Sequence, residues 1–232
     1  MAEESVFAPR RKIHDKIERS DITLTKERAS MIGKRAGKYI TISSSAVMDG
    51  EVELYDRLSR ALSDAIKDLL QKPSSILVVG LGNSFLSADN LGVSVADKIA
   101  PSDKVMTLCP SVFGRTGIES FDIVKGVCEQ IKPSAVICVD TLCSASMERL
   151  GRAFQLCDSG ITPGSGVSNA RKTISRETLS APVISIGLPL VIYASTISGN
   201  ADESLIVTPK DIDILVRESA EIIANAIGRA IA

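Results

Sequence analysis

Carboxylates that could hydrolyse a bond follow several apolar runs of this sequence. Residues 158–172 read D-S-G-I-T-P-G-S-G-V-S-N-A-R-K. The density of glycine and proline after Asp158 predicts a loop held in one special shape. Asp89 and Asp140 also come after apolar runs. Two carboxylates in one cleft can share a proton, so that one deprotonates an attacking water while the other protonates the scissile group. A carboxylate pair is therefore the candidate chemistry.

Other catalytic motifs are incomplete. The single histidine, His14, lies in a charged terminal segment, which removes the central part of a Ser-His-Asp triad and of a His-rich metal site. Residues 80–82 read G-L-G, but Phe85 stands where a dinucleotide fingerprint needs its third glycine. The five cysteines form no C-x-x-C pair, and we interpret them as buried thiols. We therefore expect no metal and no cofactor.

Composition limits the classes of protein. The chain has 232 residues, of which 44% are hydrophobic, enough for one large domain with a core. Its 27 basic and 28 acidic residues nearly cancel, so the total charge offers no argument for direct nucleic-acid binding. No apolar run approaches the roughly 20 residues that span a bilayer, and the N-terminus lacks the apolar core of a signal peptide. We expect a cytoplasmic protein without membrane contact.

The pattern of apolar residues predicts alternating strands and helices. The predicted strands are 22–24, 39–42, 76–79, 105–108, 135–139, 154–157 and 183–186. The predicted helices are 52–70, 91–99, 118–131, a short segment at 147–150, and 210–231. Continuous apolar strands between helices are typical of a three-layer α/β fold with a mostly parallel or mixed sheet and helices on both faces.

The same pattern predicts one domain after a short terminal segment. Residues 21–232 contain no repeat, low-complexity tract or linker. Residues 1–20 are charged and irregular in pattern, and we expect them to be either mobile or a removable leader.

Such sheets bind ligands outside the carboxyl ends of their strands. Asn83 and Asp89 follow the first strand of the alternating region, Asp140 follows the third, and Asp158 follows the fourth. We therefore expect three loops to converge on one crevice. The alternative for Asp89 is that it merely caps the helix that begins near Leu91.

Several motifs together resemble the germination protease family of spore-forming bacteria. They are G-L-G-N at 80–83, A-D-N-L-G at 88–92, G-R-T-G-I-E at 114–119, V-D-T-L at 139–142, the glycine-rich segment 158–172, E-T-L-S-A-P-V-I-S-I-G-L-P at 177–189 and V-T-P-K-D-I-D at 207–213. Upstream, I-G-K-R-A-G-K-Y-I-T-I at 32–42 also fits. The resemblance extends from about Asp21 to the C-terminus.

This resemblance implies an endopeptidase that degrades small acid-soluble spore proteins during germination. It also implies a zymogen activated by removal of an N-terminal segment, a homo-oligomer that is tetrameric in the family, and a fold similar to that of hydrogenase maturation proteases and phosphorylase-like proteins. The two aspartates proposed for catalysis in the family fall on Asp89 and Asp158, with Asp140 in a supporting role. We expect further supporting or substrate-binding roles for Asn83, Gly160, Gly164, Ser165, Gly166, Asn169 and Arg171.

The chain departs from the family pattern at three places. The motif around the first aspartate is A-D-N-L-G instead of the more usual P-D-A-L-G, about ten residues replace a long insertion between Ser195 and Leu205, and the N-terminal region is shorter. We therefore expect a short-form protease. Two alternatives stay open: a binding or regulatory paralogue without turnover, and a maturation protease that reads a metal centre in its client.

Overall fold

A computed structural model describes residues 9–199 and 204–232. In these ranges the strands are β1 (Arg10–His14), β2 (Ile17–Leu24), β3 (Gly37–Ser43), β4 (Ile76–Gly80), β5 (Val105–Leu108), β6 (Ala135–Ser144), β7 (Ala153–Cys157), β8 (Val183–Tyr193) and β9 (Ile206–Val207). The helices are α1 (Lys26–Met31), α2 (Tyr55–Leu69), α3 (Leu91–Lys98), α4 (Phe113–Thr116), α5 (Ser120–Ile131), α6 (Arg176–Leu179), α7 (Ala194–Ser198) and α8 (Ile212–Ile231).

One mixed sheet organises the molecule. Its strand order is β1-β2-β3-β7-β8-β6-β4-β5, with β9 paired to the end of β8. Strands β8, β6, β4 and β5 pair in parallel, whereas β1, β2, β3 and β7 pair with their neighbours in antiparallel fashion. The α/β prediction is confirmed, and the sheet is half parallel.

Helices cover both faces of the parallel half, as its strands require. Alternate residues of β6 enter different cores: Ile137 packs with α2, α3 and α8, whereas Cys138 packs with α5 on the other face. Both side chains are fully buried. Burial on both faces explains why β4 and β6 read as continuous apolar runs. Among the described residues, no helix combines the length and the apolarity needed to cross a bilayer.

The prediction of an irregular segment is wrong for the residues of 1–20 that form strands. Strands β1 and β2 make an antiparallel hairpin on β3. Ile17 is fully buried, and Arg19 is 6% exposed. The Arg19 guanidinium lies 2.9 Å from Asp21 Oδ1 and 2.6 Å from Asp68 Oδ2. The Arg19 side chain can be buried only because two carboxylates pair with it, and one of them comes from a distant part of the chain. The local sequence therefore looks charged although it forms a packed strand. Residues 1–8 lie outside the described residues, and a removable leader stays a prediction.

The connection between β6 and β7 also differs from expectation. Residues 147–150 form turns, not a helix. The Gly151 N–H donates to Pro189 O at 2.7 Å, and the chain enters β7 two residues later. Only residues 145–152 join the two strands, whereas a parallel crossover needs about a dozen residues or more. Strand β7 therefore runs antiparallel to β8.

Candidate active site

The site lies where the parallel strands β4 and β6 end side by side. Gly80, the last residue of β4, pairs with Val139 of β6, directly before Asp140. After β4 the chain enters α3 on one face of the sheet, whereas α5, which leads into β6, packs on the other face. In such sheets ligands bind in the crevice outside the carboxyl ends of neighbouring parallel strands. Asp89 ends a 3-10 helical turn (Ser87–Asp89) in the loop after β4, so both carboxylates belong to this crevice.

Two glycines hold the start of α3 against the sheet. A Cβ on Gly92 would lie 2.3 Å from both Leu81 O and Val139 O, and one on Gly80 would lie 2.4 Å from Gly92 O. Real Cβ atoms do not approach backbone oxygens so closely, so only glycine permits this packing. The turn that carries Asp89 is thereby fixed over β6.

We expect Gly92→Ala to lower the free energy of unfolding by roughly 3 kcal/mol, because the added methyl must push α3 off the strands. Urea unfolding measures the change. Gly126→Ala in α5 is the matched control: its Cβ would meet nothing within 4 Å, and it should stabilise the helix by about 0.5–1 kcal/mol. Equal stability of Gly92→Ala and the wild type would contradict this close packing.

Asp89 is half-buried, and its protonation follows from that burial. Loss of solvent raises the pKa of the Asp89 carboxyl to about 6, and the nearby Asn83 N–H opposes this by favouring the charged form. The Asn83 N–H also donates to Asp89 O at 2.8 Å, which closes the loop after β4. Asn83 thus shapes the loop that presents Asp89.

Asp140 is more deeply buried, at 7% exposure. Burial and, second, the negative charge of Asp89 raise the pKa of the Asp140 carboxyl to about 8, while the Thr141 N–H, which donates to Oδ1 at 2.9 Å, lowers it. The two carboxylates therefore repel, and near neutral pH the pair holds one proton, on Asp140. The arrangement provides a base and an acid in one crevice.

Two further polar atoms adjoin the pair. Asn90 Oδ1 and Thr141 Oγ1 are buried, and neither has a hydrogen-bond partner in the part of the chain that the structure describes. Buried polar atoms are nearly always hydrogen-bonded. Both side chains are thus available to a water or a substrate group.

Asp158 lies elsewhere. Because β7 runs antiparallel to β8, its last residue, Cys157, pairs with Ser185 near the start of β8, whereas Asp140 pairs with Gly187. Asp158 is therefore displaced from Asp140 by roughly 10 Å along the strands and by two strand spacings across them. Its Oδ1 accepts the Lys38 N–H at 2.7 Å. The expected convergence of three loops is wrong for Asp158, because that expectation assumed a parallel β7.

The tip of the glycine-rich loop does return to the crevice edge. Ile161 and Ile174 form a bridge that closes the loop. Beyond this bridge, a Cβ on Gly166 would lie 2.9 Å from the Cβ of Cys143, three residues past Asp140 on β6. The loop thus begins at the amino edge of the parallel strands and reaches their carboxyl edge.

The other residues predicted in this loop shape it. Gly160 and Gly164 have φ of 80° and 72°, and Gly164 O accepts the Asn169 N–H at 3.0 Å. The Ser165 N–H donates to Thr162 O at 3.3 Å. Their substrate-binding role stays a prediction.

Arg171 ties the loop to the segment that contains α4. Its Nη1 lies 3.5 Å from Glu119 Oε1, and its guanidinium lies 4.9 Å from the centre of the Phe113 ring. Arg115 similarly lies over the Phe85 ring at 3.7 Å. Phe85 is 70% exposed and Phe113 41%. The exposed rings of Phe85 and Phe113, each covered by an arginine, were not predicted from the sequence. The sequence did hold a hint, because these are two of only five phenylalanines and both lie in loops between predicted elements.

Within residues 9–199 and 204–232, no three His, Cys, Asp or Glu side chains are grouped so that they could hold a metal ion. The acidic groups of the crevice are the pair Asp89 and Asp140. Two carboxyls in one crevice are suited to acid–base chemistry.

Comparison with known proteins identifies relatives over most of the chain. A model of the germination protease family matches residues 3–203. The germination protease of Bacillus subtilis (strain 168) is 36% identical over 214 residues, which cover 84% of this chain and 58% of that protein. The germination protease of Caldanaerobacter subterraneus subsp. tengcongensis is 34% identical over 258 residues, covering 86% of this chain and 80% of that protein. The chain thus spans little more than half the length of the Bacillus relative.

A solved structure is also similar. The [NiFe] hydrogenase maturation protease HycI from Thermococcus kodakarensis KOD1 superposes with a TM-score of 0.48 and 20% sequence identity, covering 71% of this chain and 99% of that chain.

Proposed function

The chain belongs to the germination protease family, and on that premise we propose that it is an endopeptidase acting on small acid-soluble spore proteins in the cytoplasm of the germinating spore. The observation that carries the proposal is the pairing of Asp89 and Asp140 in one crevice, with pKa values raised to about 6 and about 8. Two carboxyls that differ in protonation near neutral pH are what metal-free peptide hydrolysis by an aspartate pair requires.

The roles follow from the two environments. Asp89 is the more exposed and the more acidic, so it is ionised at neutral pH and acts as the general base. It removes a proton from water, whose oxygen attacks the carbonyl carbon of the peptide bond. Asp140, protonated, donates its proton to the carbonyl oxygen as the tetrahedral intermediate forms.

Collapse of the intermediate restores the pair. The C–N bond breaks, and the leaving amine takes the proton that Asp89 had removed from water. The hydroxyl proton returns to Asp140 as the carboxylic acid product forms. Each carboxyl ends in its starting state, so no external acid or base is consumed.

The test is cleavage of a small acid-soluble spore protein by the purified chain at neutral pH, followed by mass spectrometry of the fragments. We expect discrete fragments from the wild type and none from Asp140→Asn. A variant that begins at Pro9 belongs in the same assay, because it tests whether activity requires removal of a leader, whereas truncation beyond Arg10 would disrupt β1.

The possible negative results of the cleavage assay favour different alternatives. If neither the full chain nor the shortened one cuts while both are folded, the non-catalytic paralogue is favoured. If a chelator abolishes cleavage and one metal restores it, the metal-reading maturation protease is favoured and the carboxylate mechanism is contradicted.

A further inference from the structure

Charge is segregated in this molecule, although its total is close to zero. Ten of the 27 basic residues but only four of the 28 acidic residues lie between Arg10 and Lys38. This eighth of the chain forms the hairpin β1–β2, helix α1 and the turn into β3. It therefore occupies one end of the sheet, and the excess of acidic residues lies in the rest of the molecule.

Ion pairs neutralise half of these cations. Within the segment, Arg10 pairs with Glu18 at 3.4 Å and Lys12 with Asp15 at 2.7 Å. Carboxylates from elsewhere pair with the others: Lys16 with Glu51, Arg19 with Asp68 at 2.6 Å, and Arg35 with Glu177 at 2.6 Å. These cations are committed to holding the hairpin and the turn in place.

Five cations remain without an ion pair among the described residues: Arg11, Lys26, Arg28, Lys34 and Lys38. Arg11 lies on β1 at the other end of the hairpin, and we call the remaining four, on α1, in the turn and at the start of β3, the basic corner. All are exposed except Lys38, which is half-buried. Glu27 lies between Lys26 and Arg28 in the chain, and Asp158 Oδ1 accepts the Lys38 N–H. Four cations against these two carboxylates leave an excess of positive charge in the corner.

Asp158 gives the corner a defined shape. Its Oδ1 accepts the Lys38 N–H at 2.7 Å, and its own N–H donates to Lys38 O at 3.2 Å. A Cβ on Gly37 would lie 2.5 Å from the same Oδ1, so only glycine allows this approach. The turn that carries Lys34 and Lys38 is therefore held rigidly against the end of β7.

We propose that the basic corner binds the phosphate backbone of duplex nucleic acid. Exposed lysines and arginines close together in one part of the fold, unpaired within the described residues, are the electrostatic footprint of a phosphate-binding surface. The surface lies at the amino edge of the parallel strands, away from Asp89 and Asp140. Binding there leaves the carboxylate crevice open, and this inference is independent of the proposed peptidase activity.

The shape of the corner favours nucleic acid over other polyanions. Helix α1 has six residues, too few to lay an apolar face into a lipid interface, and its Ala29 is buried against the protein. An acidic peptide would bind the free edge of β1 or an apolar groove, but the cations of the corner lie beyond β1, on α1, in the turn and at the start of β3. A rigid row of phosphates can contact cations on α1 and on the turn together.

The experiment measures binding of a fluorescein-labelled 20-base-pair DNA duplex by fluorescence anisotropy at several salt concentrations. With about four phosphates neutralised, the affinity should fall about a hundredfold between 50 and 200 mM salt. The triple variant Lys26→Glu/Arg28→Glu/Lys34→Glu should bind at least about tenfold more weakly at 50 mM salt, with a shallower salt dependence.

The matched control makes the same change in charge elsewhere. Lys72, Lys104 and Lys132 are exposed, lack ion pairs among the described residues and lie near the far end of the sheet. Lys72→Glu/Lys104→Glu/Lys132→Glu should retain wild-type binding. Thermal unfolding confirms that both variants are folded, and both should retain peptidase activity.

Three results would overturn the proposal: no binding at 50 mM salt, equal weakening by both triple variants, or wild-type binding of anionic phospholipid vesicles or polyglutamate without binding of the duplex. Loss of peptidase activity without loss of DNA binding would instead count against the proposed function alone.

Discussion

Replacing Asp140 with asparagine is expected to reduce peptide hydrolysis by about a thousandfold or more, with the fold intact. Asparagine keeps the shape of the protonated carboxyl and still offers hydrogen-bond donors, but it cannot give up and regain a proton. General acid catalysis by a positioned carboxyl typically contributes a factor of about 10²–10⁴. Because Asp140 is only 7% exposed and its carboxyl is held protonated, the neutral amide fits the same buried position without a proton that must be kept on the group.

The measurement is the initial rate of cleavage of a spore protein by wild type, Asp140→Asn, Asp89→Asn and Asp158→Asn. We expect the first two variants to be inactive. Asp158→Asn is the matched control, because it makes the same chemical change at the opposite edge of the sheet, and its rate should stay within a few-fold of wild type. A folded Asp158→Asn as inactive as Asp140→Asn would contradict the assignment and restore the pair expected from the family resemblance.

The second large effect concerns stability and pH. The pKa of Asp140 is raised to about 8, above the ordinary value near 3.8 that applies in the unfolded chain. Between these two values the unfolded state has released the proton and the folded state still holds it. The folded state thus binds more protons, so the free energy of unfolding falls as pH rises through this window. The contribution is complete below about pH 4 and lost by about pH 8.

A tenfold difference in acidity between the folded and unfolded states corresponds to about 1.4 kcal/mol, so the penalty at pH 8 is on the order of several kcal/mol. Asp140→Asn removes it. Urea unfolding of both proteins at pH 5 and pH 8 should therefore show the variant gaining stability over wild type as pH rises. A difference between Asp140→Asn and wild type that is constant across pH would contradict the buried, protonated state of Asp140.

Much of the parallel half of the fold could be predicted from local pattern. Strand β4 was predicted to within one residue, because a strand buried on both faces must be continuously apolar. Strand β5, a half-buried edge strand, was predicted at its observed bounds. Helices α2, α3, α5 and α8 were predicted with small errors at their ends, since their apolar residues recur with helical period. Their order along the chain was enough to predict helices on both faces of a sheet.

The antiparallel half could not be predicted in the same way. The charged residues of β1 and β2 conceal a hairpin whose burial depends on Arg19 meeting Asp68, a residue of a distant helix. The error with the largest consequence was the direction of β7, because a parallel β7 would have placed Asp158 in the crevice. The short connection at 145–152 held the necessary signal, but the apolar run of β7 looks identical in either direction.

By itself, the sequence determined the fold class, the family and the presence of carboxylates without a histidine partner, because these depend on residue type, order and local period. Only the tertiary structure decided which carboxylates meet. Strand direction sets which end of each run reaches the crevice, and burial then sets which carboxyl keeps its proton. The tertiary structure also decided that a nearly neutral chain presents a basic corner, because the total charge does not tell where the charges lie or which of them are paired.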